Sequence, residues 1–112
     1  MPTSNSQMIY KLQVALNSKG LKILCPRSQF YSDQQHRPVT LYKVEQSIWN
    51  DELGKYNHKT LFSSASQIQV VLFLRNLWYL VNGKEIPPTN RMKGAAEFDR
   101  KWKEFEENFT LN

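Results

Sequence analysis

The stretch from Ser66 to Val81 (SQIQVVLFLRNLWYLV) constrains the fold of this chain more than any other. Val70, Phe73, Leu74, Leu77, Trp78 and Val81 recur at helical spacing and form a full apolar face. Leu72, Tyr79 and Leu80 continue onto the opposite side, where Gln69, Arg75 and Asn76 are the polar residues. A helix that is apolar nearly all round is buried on two sides, so the rest of the chain has to supply two covers. The run is too short for a membrane span, and Arg75 and Asn76 interrupt it.

One cover follows it in the chain. From Gly94 to Phe109, Phe98, Trp102, Phe105 and Phe109 recur at spacings of four, three and four and make a narrow aromatic stripe. Acidic and basic residues alternate around the other faces, which marks a second, amphipathic helix. Ser64 with Gln67, or Ser66 with Gln69, has capping-box spacing at the start of the central helix, and Gly83 suits its end. Pro87 and Pro88 turn the chain between the two helices.

The other cover comes from the first half, which reads as two hairpins. Tyr10, Leu12, Val14 and Leu16 alternate with Lys11 and Gln13, the pattern of a half-buried strand over Ile9 to Leu16. Asn17 to Gly20 is turn chemistry, and Leu21 to Cys25 is the return strand, stopped by Pro26. Val39 to Trp49 and Lys55 to Phe62 form the second hairpin, with Asn50 to Gly54 as its turn. The polar segment Arg27 to Arg37 reads as a long connection between hairpins, anchored by Phe30 and Tyr31. The expected fold is α+β: a four-stranded antiparallel sheet of two hairpins followed by two helices, the first packed between the sheet and the second. Met1 to Gln7 reads as a disordered lead-in, with a single domain over residues 8–112.

Charge and chemistry then bound the function. The net charge is +5. Eight Lys and Arg stand against four Asp and Glu up to Thr60, but seven against six thereafter, so the excess sits in the first half. That favours an acidic protein surface or nucleic acid as partner. One cysteine, Cys25, rules out an intramolecular disulfide, and no secretory pattern opens the chain. The expected location is the cytoplasm, with no membrane partner.

No motif carries catalysis. There is no glycine-rich phosphate loop, no G-x-S-x-G and no H-E-x-x-H. Cys25 with His36 or His58 is a conceivable nucleophile and base, but a buried inert thiol is the simpler reading. Cys25, Asp33, His36 and His58 lack the paired spacing of a zinc site, so neither metal nor cofactor is expected, and the chain is not expected to be an enzyme. Cations interleaved with aromatics in the sheet half carry the functional signal. Arg27, Phe30, Tyr31, Arg37, Lys43, Trp49, Lys55, Tyr56 and Lys59 are the expected partner-binding residues. The expected function is a small non-catalytic accessory or inhibitor docking on a larger protein. A nucleic-acid-handling machine such as a host defence nuclease fits, by analogy of size with inhibitors from phages and mobile elements. The alternative is direct nucleic-acid binding through the basic, aromatic sheet half. A homodimer is left open.

Overall fold

The structure, a computed structural model, describes residues 4–109 of the 112-residue chain. Four strands, β1 (Ile23–Leu24), β2 (Arg27–Ser32), β3 (Arg37–Asn50) and β4 (Lys55–Ser64), form one antiparallel sheet. Three helices, α1 (Asn5–Asn17), α2 (Gln67–Val81) and α3 (Ala95–Asn108), complete the α+β domain.

Long β3 is the spine. Tyr42 pairs with Arg27 on one side and Ser64 on the other, so β2 and β4 flank it. β1 continues the line of β2 in unbroken register, from Ile23 opposite Gln46 to Ser32 opposite Arg37. Pro26 divides the two because it has no N–H for the ladder, although its carbonyl still accepts from Lys43 N at 3.0 Å. On the β4 side the register slips once. Val44 faces Phe62 but Glu45 faces Thr60, which makes Leu61 the extra residue of a β-bulge.

Two sequence expectations are corrected. Ile9 to Leu16 is not a strand but the body of α1. In that helix Ile9, Leu12 and Leu16 turn inward, while Tyr10 and Val14 point to solvent. A short apolar alternation satisfies either period, and the deciding signal lies upstream. Ser4 Oγ accepts from Gln7 N and Gln7 Oε1 accepts from Ser4 N, a complete capping box. Helix therefore begins at Asn5, inside the segment read as a disordered lead-in, whose residues Met1 to Thr3 lie outside the described ones. Arg27 to Arg37 is likewise no long connection. It is strand β2 plus the tight turn Asp33 to His36, where Ser32 Oγ accepts from Gln35 N at 3.2 Å. β2 escapes a periodicity search because, as an edge strand, it is polar and open on both faces.

The core lies between one face of the sheet and the helices. Ile23, Val44 and Phe62 from the sheet meet Leu16 of α1, Val70, Phe73, Leu74 and Leu77 of α2, and Phe98 and Trp102 of α3. Each such side chain contributes about 1.5–3 kcal/mol by burial. Phe73 is the junction: it stacks on Phe62 of β4 at 4.8 Å and meets Trp102 and Phe105 of α3 at 5.4 and 4.8 Å. The aromatic stripe of α3 thus meets Phe73 of α2 and, through Phe98, Phe62 of β4 at 5.9 Å, and α1 packs along α2.

The polar residues of α2 tie it to its connections. Buried Gln69 accepts from Ser64 Oγ (2.9 Å), and Arg75 reaches both Asn76 Oδ1 (2.8 Å) and Pro87 O (3.2 Å). The expected capping box at the start of α2 does not form, because Ser64 is spent on Gln69 and on Ser66 N. At the other end Gly83, at φ 67°, closes the helix. Gly83 N donates to Leu80 O and Lys84 N to Tyr79 O, a Schellman arrangement.

Candidate functional site

Strand alternation divides β3 and its neighbours into two faces. Val44 and its cross-strand partner Phe62 define the helix side. The opposite, outer face carries, row by row, Phe30 with Val39, Ser28 with Leu41, Lys43 with Ser63, and Leu24 with Glu45 and Thr60. Ser47 with His58 and Trp49 with Tyr56 continue it. None of these residues belongs to the core. Phe30, Trp49 and Tyr56 are 50, 51 and 44% exposed, so this face presents large aromatics to solvent.

The nine residues expected at the site are accordingly split. Phe30, Arg37, Lys43, Trp49 and Tyr56 share the outer face, while Arg27, Tyr31, Lys55 and Lys59 alternate to the helix side. The structure adds Lys22, Leu24, Leu41, Ser47 and His58 to the outer face. A two-residue period counted back from Trp49 finds Ser47, but the β1 residues become visible only once the register across β3 is known.

The distal end of the outer face is the most organised. Trp49 and Tyr56 meet edge to face at 5.0 Å, and Trp49 Nε1 donates to Asp51 Oδ1 at 2.7 Å. Lys22 Nζ lies 4.1 Å from the centroid of the Tyr56 ring and donates to its hydroxyl. Lys22 reaches it from a left-handed backbone, φ 58°, which costs a non-glycine residue about 1–2 kcal/mol. Ser47 Oγ and His58 Nδ1 are 3.2 Å apart. Together with Asn17, Ile23 and Leu24, the side chains of Lys22, Ser47, Tyr56 and His58 line a shallow hollow of about 510 Å³. Its walls hold one cation, two hydroxyls, an imidazole, an amide and apolar surface.

Cys25 does not join this cluster. It occupies the same strand line as Ile23 and alternates to the helix side, against the core, whereas His58 is on the outer face and His36 is in the β2–β3 turn. Burial pushes the Cys25 thiol up to about 11, the opposite of nucleophile activation. Among the described residues no three of His, Cys, Asp and Glu gather into a metal-holding group, and no helix is long and apolar enough to cross a membrane. No family model, curated protein or solved structure matches this chain.

Proposed function

We propose that this chain is a non-catalytic binding module that docks on an acidic surface of a larger protein through the outer face of its sheet. The observation that carries the reading is the uncovered row of Phe30, Leu24, Trp49 and Tyr56 beside Lys22, Arg37 and Lys43, with Glu45 the one carboxylate in the ladder. Aromatic and cationic side chains on a preformed surface are the usual anchors of protein interfaces. The cations complement carboxylates and steer the encounter.

Direct nucleic-acid binding is the second reading, favoured by the same interleaving of cations and rings. Two contacts weigh against it. Lys22 already occupies a face of the Tyr56 ring, and Asp51 holds the Trp49 N–H and sets a negative charge beside that ring, where a stacked base would bring phosphate. An accessory or inhibitor that occludes a nucleic-acid-handling protein, a host defence nuclease among them, is the narrower form of the first reading.

Affinity purification from the native cell, with and without nuclease, tests the choice. The wild-type chain is expected to retain a discrete protein after nuclease treatment, and the double variant Phe30→Ser, Trp49→Ser to lose it. Both substituted residues lie outside the core, so the variant keeps its thermal midpoint. Retention that vanishes with nuclease and falls steeply with salt would replace protein docking by the second reading. Undiminished retention by the double variant would place the interface elsewhere.

A further inference from the structure

The two edges of the sheet are finished differently. On the β1 edge α1 supplies side chains to the main chain of Ile23. Asn17 Oδ1 accepts from Ile23 N at 2.6 Å, and Gln13 Nε2 donates to Ile23 O at 2.9 Å. That seals the edge at Ile23, while the β2 stretch of the same line, Arg27–Ser32, has among the described residues no strand on its outer side. On the far edge, β4 has β3 on one side and, among the described residues, no strand on the other.

The register shows which β4 groups are free. Lys43 N and Ser47 N donate to Pro26 O and Lys22 O, so these β3 residues bond toward the β1–β2 line. Their neighbours Gln46, Ile48 and Asn50 therefore bond toward β4, using Lys59, Asn57 and Lys55. The N–H and C=O of Tyr56, His58 and Thr60 then point away from the sheet. Beyond the bulge α3 takes over the edge, where Lys101 Nζ donates to Ser63 O at 3.4 Å. On β4 the open template is thus confined to Tyr56 through Thr60.

Side chains around this template specify what it fits. Lys55 and Lys59 alternate to the helix side and form no ion pair among the described residues, while nearby Glu97 and Glu104 are matched by Lys101 and Arg100. At the inner end of the edge lies a hollow of about 370 Å³ whose lining includes Lys59, Phe62, Lys101, Phe105, Phe109 and the carboxylate of Glu104, which Arg100 already pairs. A second copy fits poorly, because pairing two β4 edges would gather the Lys55 and Lys59 side chains of both chains. An extended segment bearing carboxylates meets both requirements: main-chain groups for the three free residues and negative charge for the lysines.

We infer that the free edge of β4 accepts an extended, acidic segment of a partner protein as an additional strand. This rests on the protein-docking reading above and adds to it the mode of contact. The probe is a capped heptapeptide alternating valine and glutamate, titrated into the isotope-labelled full chain. A valine–lysine peptide serves as the control. With the glutamate peptide, amide exchange at Tyr56, His58 and Thr60 slows at least about ten-fold, as pairing within a ladder requires. The lysine peptide leaves it unchanged. His58→Pro removes an outward N–H without touching the β3 ladder and abolishes the response. The double variant Lys55→Glu, Lys59→Glu, whose substitutions are on the surface, reverses the preference between peptides. Equal responses to both peptides, no response to either, or an undiminished response in a folded His58→Pro overturns the inference. A silent edge in a protein that still retains its partner through Phe30 and Trp49 refutes strand addition alone. Failure of that retention refutes the docking reading instead.

Discussion

Asn17 offers the sharpest test of how the β1 edge is held. Its side chain accepts from Ile23 N at 2.6 Å and donates to Ile23 O at 3.3 Å, and Ile23 is fully buried. The two contacts are not equivalent. The Ile23 carbonyl keeps Gln13 as a donor when Asn17 is removed, whereas its N–H has Asn17 as its acceptor. Asn17→Ala therefore strands one backbone donor, which costs about 1–3 kcal/mol. Asn17→Asp retains the acceptor and sharpens it with charge. Its penalty is the placement of a negative charge at the last residue of α1, about 0.3–1 kcal/mol. Urea unfolding separates these cases. With a slope of about 1–3 kcal/mol per molar, a loss of about 2 kcal/mol lowers the alanine variant's midpoint by about 1 M, while the aspartate variant moves by less than half as much. Equal losses in the two variants would show that acceptance from Ile23 N is not what Asn17 supplies. A neutral Asn17→Ala would remove the sealed edge from the account altogether.

Three further outcomes follow from the packing and the chemistry. Phe73→Ala, at the junction of β4, α2 and α3, is expected to cost about 3–5 kcal/mol by calorimetry or urea titration, and a loss below about 1 kcal/mol would contradict its central place. Gly94→Ala forces a side chain onto a backbone at φ 82° and brings its Cβ to 2.7 Å from Gln69 Nε2. A loss of about 1–3 kcal/mol, or about 4–13 °C in Tm, is expected, and Gln69→Ala in the same background should relieve part of it. For Cys25, burial raises the folded thiol from 9.0 to about 11, so the folded chain holds the proton more tightly than the unfolded one. Stability is therefore unaffected by this thiol below pH 9 and declines from there through about pH 11. Alkylation at pH 8 is slower than for a free thiol, and Cys25→Ser removes both effects.

The legible parts of the chain were those in which one period dominates. The apolar face of α2, the aromatic stripe of α3 and the alternation of β3 each follow from side-chain spacing, and Gly83 and the Asn50–Gly54 turn mark ends where the structure has them. Ile9 to Leu16 failed because Tyr10 and Val14, both exposed, filled in a false two-residue period over a true helical set of Ile9, Leu12 and Leu16. β2 failed because an edge strand open on both faces needs no apolar alternation. The candidate site was half legible. Residue type pointed to the sheet's aromatics and cations, but the face each occupies depends on pairing partners far along the chain and on the bulge at Leu61.

That bulge has a consequence for how such a protein can diversify. Since side chains on a strand alternate, one residue inserted or deleted at Leu61 exchanges the faces of everything from Lys55 to Thr60 while leaving Phe62 and Ser64 in the core. The outward Tyr56 and His58 would trade places with Lys55, Asn57 and Lys59. The bulge thus acts as a frame boundary between a half of β4 fixed by packing and a half free to change what it displays. A single-codon insertion beside Leu61, which itself packs against the core, would exchange the displayed side chains in one step.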